Sequence, residues 1–138
     1  MTVVVDTNVV LGAFSEGHPN RPIVEAWLTG ELRWAVTTEI LLEYEEILRQ
    51  RSGSVRAEKA MQLIDVMMSV GFCQRVIPQF RWNVIRNDPD DDKFADCAIA
   101  SEADFIITED GHFAALNGLG FKPCAISPTA FIETVLGR

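Results

Sequence analysis

The chain has 138 residues, 48% of them apolar, which is enough for one buried core and too few for two ordinary domains. Charged residues make up 23%, near the globular average, which argues against disorder. Lys plus Arg number 12 against 20 Asp plus Glu, and the resulting net charge of −8 argues against a basic nucleic-acid clamp, though not against a nucleic-acid enzyme with an acidic, metal-filled site.

Residues 2–5 (Thr-Val-Val-Val) are apolar and β-branched, which suits a strand covered on both faces. Asp6 ends this run, and Thr7 is placed to cap a helix beginning near Asn8. The segment Gly17-His-Pro-Asn-Arg-Pro22 is a loop of helix and strand breakers. Asn20 and Pro22 suit the start of a second helix, and Gly30 its end. Arg33 to Val36 forms a second strand. Thr37 and Thr38 precede a helix from Glu39 to Gln50. Ser52-Gly53-Ser54 links it to a helix from Val55 to Val70, in which Ala60, Leu63, Ile64, Met67 and Met68 recur at helical spacing and Gly71 closes the end. Gln74 to Ile77 reads as a third strand before Pro78. Asn87 to Asp91, with Pro89, is an acidic loop, and a helix runs from Asp91 to Ala103. Asp104 to Thr108 is a buried strand and Lys122 to Ile126 the last one. Ser127-Pro128 starts a terminal helix that Gly137 ends.

Strands alternating with helices through short links imply an α/β fold. The expected architecture is a three-layer α/β/α sandwich around a central, mainly parallel sheet in one domain, residues 1–138. No stretch approaches the roughly 20 apolar residues that cross a bilayer, so no membrane association is expected. Met1 to Val5 lacks a basic leader and an h-region, unlike a signal peptide. Cys73, Cys97 and Cys124 are odd in number and form no CxxC pair, so neither a disulfide framework nor a thiolate zinc site is expected. A reducing, cytoplasmic setting is expected.

Several acids stand in unusual places. Asp6 follows Thr-Val-Val-Val, and Asp110 follows Asp-Phe-Ile-Ile-Thr-Glu, so both lie just beyond the carboxyl end of a buried strand. In open parallel sheets that edge is where ligands bind. In the helix from Asp91, at about 100° per residue, Asp96 falls about 40° from Asp92, with Ile99 and Ala103 about 20° away. Two carboxylates thus share a face with apolar residues, away from Lys93 and Ser101. Carboxylates on such a stripe need partners, and a divalent metal serves several at once. Asp90 and Asp91 are read as helix caps. In the helix from Glu39, Glu43 and Glu45 flank the apolar arc about equally, and helical geometry does not separate them. All four glutamates, Glu39, Glu43, Glu45 and Glu46, are otherwise solvated or pair with Arg49.

Four stretches resemble a PIN domain, the nuclease fold of VapC-type toxins: Val3-Val-Val-Asp-Thr-Asn-Val-Val-Leu11, Thr38-Glu-Ile-Leu-Leu-Glu-Tyr-Glu-Glu-Ile-Leu48, Asp88-Pro-Asp-Asp-Asp-Lys-Phe-Ala-Asp-Cys-Ala98 and Ala103-Asp-Phe-Ile-Ile-Thr-Glu-Asp110. Their order and spacing run nearly the full chain and look like those of toxin components of toxin–antitoxin pairs. The resemblance implies a site of four acids, here Asp6, Glu43, Asp92 and Asp110. Glu43 is singled out by its place five residues after Thr38, and Asp92 by its eighteen-residue spacing to Asp110. Asn8 and Thr108 match supporting polar residues, and Asp96 is a fifth carboxylate. The resemblance further implies a Mg2+- or Mn2+-dependent ribonuclease that leaves 5′-phosphate and 3′-hydroxyl ends, with RNA as substrate, an antitoxin protein as partner, and a homodimer. Oxygen-only ligands agree with such hard cations. A non-catalytic metal- or protein-binding scaffold on the same fold is the alternative. A phosphoryl-accepting Asp6 in the manner of haloacid dehalogenases is disfavoured, because that pattern needs Asp where Asn8 stands.

Around this set, Arg21, Arg49, Arg51, Arg81 and Arg86 are candidates to steer a phosphate backbone, each otherwise a surface charge. His18 is read as a surface residue, and His112, two residues after Asp110, as a candidate substrate contact. Trp27 and Trp34 are assigned to the core. Trp82, between Arg81 and Asn83, is the tryptophan singled out for RNA contact.

Overall fold

A computed structural model describes residues 1–82, 92–117 and 122–138. Five strands form one sheet in the order β3-β2-β1-β4-β5, with every neighbouring pair parallel. They are β1 (Thr2–Val5), β2 (Arg33–Val36), β3 (Cys73–Arg75), β4 (Phe105–Ile107) and β5 (Cys124–Ile126). The central strand is the most apolar because it is covered on both faces: Val3, Val4 and Val5 are all 1% exposed or less. At the edge, Gln74 and Arg75 of β3 are exposed.

The chain first winds one way from β1 through β2 to β3, then crosses to β4 and β5 on the other side of β1. Parallel crossovers are right-handed, so this reversal puts α1 (Thr7–Ala13), α2 (Arg21–Leu28), α3 (Thr38–Ser52) and α4 (Ser54–Ser69) on one face. It puts α5 (Asp92–Ala100) and α6 (Ala114–Asn117) on the other. The result is the expected α/β/α arrangement. The reversal lies between β1 and β4, and in open parallel sheets ligands bind beyond the carboxyl ends of the strands at such a point.

Register places the acids on that edge. Val5 pairs with Ile107, and Ile107 with Ile126. The next residues are Asp6, Thr108 and Ser127. The Asp6 N–H donates to the Ile107 carbonyl at 3.0 Å and the Thr108 N–H to the Ile126 carbonyl at 2.9 Å, so the ladder continues through them.

The core beneath is aromatic on the α1–α3 face. The Trp27 and Trp34 rings lie 4.7 Å apart, and Trp34 and Tyr44 6.1 Å apart. Each buried polar tip has a partner, as burial demands. Trp27 Nε1 donates to the Phe72 carbonyl at 2.9 Å and Trp34 Nε1 to the Tyr44 hydroxyl at 3.3 Å. The Tyr44 hydroxyl donates in turn to the Val5 carbonyl, tying α3 to the residue before Asp6.

The expected elements appear with shifted ends. Asp6, not Thr7, is the residue flanking α1, whose first residue is Thr7. Thr37 caps α3 by accepting from the Ile40 N–H at 3.1 Å, and Ser127 caps α7 (Pro128–Ala130) by accepting from Ala130. Gly53 separates α3 from α4 at φ +85°, a conformation that favours glycine. Expected at Gln74–Ile77, β3 lies at Cys73–Arg75, because the chain leaves the ladder once Val76 has bonded Val36 and Pro78 offers no donor. The end of α5 falls at Ala100, short of Ala103. Glu102 takes φ +54° while Ala103 N–H bonds the Ala98 carbonyl and Glu102 N–H the Ile99 carbonyl, a closure usually signalled by glycine. The terminal helix is a short α7 running into a π-helical turn, Phe131–Val135. A 3₁₀ turn at Gly111–Phe113 and α6 were not expected. The expected loop Asn87–Asp91, the Asp90 and Asp91 caps and Arg86 lie outside the described residues. Among the described residues, no helix is long and apolar enough to cross a membrane.

Candidate functional site

Asp6 is the centre of the site. It flanks the N-terminus of α1 in an extended conformation, yet its side chain makes no cap hydrogen bond within that helix. Its Oδ2 accepts instead from the Thr108 hydroxyl at 2.7 Å, across the β1–β4 reversal. The same Thr108 oxygen accepts the Asp110 N–H at 3.0 Å, so one buried threonine orients both acids. The Asp110 Oδ1 accepts the His112 N–H at 2.9 Å, with His112 Nδ1 3.2 Å away. Asp110 thereby caps the 3₁₀ turn that follows β4.

Glu43 approaches from α3. Tyr44 anchors that helix to Val5, and beside it the Glu43 Oε2 accepts the Thr7 hydroxyl. The other oxygen, Oε1, lies 2.8 Å from Lys93 Nζ. Glu45 turns away to Arg49, 3.4 Å distant in an exposed pair. Tertiary contacts thus separate two glutamates that helical spacing left equivalent.

Burial raises the pKa of Asp6 above the ordinary carboxylate range. The Thr108 hydroxyl and the Thr7 N–H oppose that rise, and the charges of Asp110 and Glu43 add to it. Two carboxylates, Asp110 and Glu43, are thus within electrostatic reach of Asp6, and positive charge among the three would relieve the crowding.

Asp92 and Asp96 occupy the adjoining ground. Asp96 is only 7% exposed, and its Oδ1 accepts the Trp82 N–H at 3.0 Å. Burial raises its pKa, the Trp82 bond lowers it, and Asp92 raises it again. Both acids line a cleft of about 540 Å³ with Thr37, Thr38, Glu39, Lys93 and the segment Val76–Arg81. The wheel therefore placed Asp92 and Asp96 together correctly, but it misplaced Lys93. The Lys93 side chain is 12% exposed, because the first turn of α5 packs against α3 as well as the sheet. The structure brings Glu43 and Asp110 to Asp6. It sets Asp92 with Asp96 in the cleft, and Lys93 links that cleft to Glu43.

Asn8 is exposed on α1 and His18 is exposed in the α1–α2 loop. Sequence reasoning passed over Thr7 and Lys93. A lysine directly following Asp92 was the available signal, and the helical wheel alone sent it to solvent.

The donors around Asp6 are all oxygens, which suits a hard cation. Among the described residues, no three His, Cys, Asp or Glu side chains gather closely enough to chelate a metal. A divalent ion held here would keep most of its waters and take one or two carboxylates.

The sequence profile of the PIN domain matches residues 2–112. A chain of the crystal structure of VapBC2 from Rickettsia felis bound to a DNA fragment from their promoter superposes on 92% of this chain and 98% of its own. The TM-score is 0.57 and the sequence identity 13%. No curated protein matches the chain. The profile spans most of the sequence, including Asp6, Glu43, Asp92 and Asp110, and on that ground the chain belongs to the PIN domain family.

Proposed function

We propose that this protein is a metal-dependent endoribonuclease, the toxin half of a toxin–antitoxin pair, acting through Asp6, Glu43, Asp92 and Asp110 in the cytoplasm. PIN domains are generally nucleases and generally use divalent metals. The observation that carries the reading is the buried Asp6, held by Thr108 at the strand reversal with Glu43 and Asp110 within reach of its charge. Such crowding of like charge is costly in a fold that does not use it.

In this reading Asp6, Asp92 and Asp110 would hold Mg2+ or Mn2+, and Glu43 would complete the shell or orient the water. When bound, the ion supplies positive charge to a phosphodiester and makes water easier to deprotonate. The chain's own residues do the rest. Thr108 fixes the spacing and direction of Asp6 and Asp110. Thr7 and Lys93 fix Glu43, whose carboxylate is placed to orient a water. Hydrolysis forms a bond from water oxygen to phosphorus and breaks the bond to the 3′ oxygen, which takes up a proton, leaving a 5′-phosphate and a 3′-hydroxyl.

The fold likeness to a chain of a VapBC2 complex supports an antitoxin as partner. A homodimer remains part of the proposal on the resemblance alone. One observation favours a second reading, a non-catalytic PIN scaffold: Lys93 already supplies a cation to Glu43. The deciding experiment is cleavage of a panel of RNAs with Mg2+ or Mn2+, comparing wild type, wild type in EDTA, and Asp6→Asn. Cleavage by wild type alone is expected. Equal cleavage by Asp6→Asn overturns the site, and Mn2+ binding without any cleavage establishes the scaffold.

A further inference from the structure

The segment between β3 and α5 carries three large apolar side chains into solvent beside the acids. Ile77 is 76% exposed, Phe80 68% and Trp82 51%. Globular chains bury such side chains when they can, and adjacent exposed aromatics mark a contact surface. Phe80 and Trp82 lie 5.7 Å apart at 59°, with Arg81 between them in sequence. The segment is not loosely placed. Trp82 N–H donates to Asp96, and Val76 N–H to the Val36 carbonyl at the end of β2. Val76 through Arg81 form one wall of the cleft whose other wall holds Asp92, Lys93 and Asp96.

We propose that Phe80 and Trp82 form a stacking platform for an unpaired base of the RNA substrate, at the mouth of the acidic site. This rests on the nuclease reading and deepens it, by assigning a binding surface and requiring a single-stranded segment there. Three features favour RNA over a protein partner. Phe80 lines the cleft that holds Asp92 and Asp96, and Trp82, whose N–H bonds Asp96, packs beside it. Arg81 beside them and Arg75 near Thr38 offer cations on a rim of an otherwise acidic chain, where they can meet phosphates. Two rings and one isoleucine also present far less surface than the roughly 800 Å² per partner of a stable protein interface. Stacking on protein aromatics needs bases freed from a helix, so duplex RNA is a poor ligand for this surface. Buried Asp96 then has a role distinct from that of a fifth acid toward a metal: it anchors the platform to α5.

The test exploits the burial of the other indoles. Trp27 and Trp34 are 0% and 1% exposed, so the solvent-accessible indole is Trp82. A short mixed-sequence single-stranded RNA, titrated in EDTA to prevent cleavage, is expected to quench that fluorescence. Read by the anisotropy of the same RNA carrying a fluorescent end label, which does not depend on the indole, Trp82→Ala and Phe80→Ala are each expected to weaken binding roughly five- to a hundredfold, the span for loss of one base–aromatic stack. Trp82→Phe should restore most of the affinity, and all three should melt like wild type. Equal Kd for wild type and Trp82→Ala overturns the platform and returns the rings to a protein partner. Equal affinity for the same RNA as a duplex also overturns it. Binding through Trp82 with no cleavage in Mn2+ upholds the surface and removes the nuclease reading. Cleavage with no Trp82 effect does the reverse.

Discussion

Asp6→Asn is expected to separate stability from activity. In the folded chain the Asp6 carboxylate is 6% exposed and meets the charges of Asp110 and Glu43, so its pKa lies above the ordinary value of 3.8. A raised acid pKa means the folded state holds its proton more tightly than the unfolded one. Stability therefore falls as pH rises from the unfolded pKa through the folded pKa. Asn carries no charge and avoids this loss. Its amide oxygen still accepts the Thr108 hydroxyl, but it has one acceptor where the carboxylate has two, which offsets part of the gain. The variant should be more stable at pH 7, by about 1 kcal/mol as is common for single stabilising substitutions at functional sites. That corresponds to a rise in Tm of about 3–5 °C for a chain of this length. Thermal melts in EDTA across pH check it: the gap between variant and wild type should be present at pH 7 and close in acid, where wild-type Asp6 is protonated. RNA cleavage should fall by about a hundredfold or more. A variant less stable than wild type at pH 7 would refute the electrostatic argument, whatever its activity.

Thr108→Val keeps the volume but removes the donor to Asp6 and the acceptor for the Asp110 N–H. Cleavage should fall about 10- to 100-fold, the usual cost of losing an orienting partner. The acid limb of the pH–rate profile should move to higher pH, since a group favouring the Asp6 carboxylate is lost. Tyr44→Phe leaves the Val5 carbonyl and Trp34 Nε1 without their partner inside the core, and urea unfolding should show a loss of about 1–3 kcal/mol at constant m. Glu43→Gln should abolish most cleavage, whereas Glu45→Gln should leave cleavage intact and cost about 0.3–0.5 kcal/mol, that of an exposed i,i+4 pair. Equal effects of these two on cleavage would refute the choice between them.

Local patterns determined a good deal of this protein on their own. The uninterrupted Thr-Val-Val-Val and Phe-Ile-Ile runs declared buried strands, and their alternation with helical segments made the sheet a parallel one covered by helices. That alone put Asp6 and Asp110 at a carboxyl edge. The helical period likewise put Asp92 and Asp96 on one face. What local pattern does not carry is which edge meets which helix. Glu43 and Glu45 are equivalent on a wheel. They part company only because Tyr44 bonds the Val5 carbonyl and turns Glu43 onto Thr7. Lys93 reads as a solvent residue until the first turn of α5 is packed against α3, a contact between residues fifty apart in sequence. The left-handed Glu102 that ends α5, with no glycine to announce it, is held by hydrogen bonds to carbonyls of its own helix. Period and composition follow from each residue's nearest neighbours along the chain. Pairings such as Thr108 with Asp6 depend on sheet order and register, which exist only once the whole core has condensed.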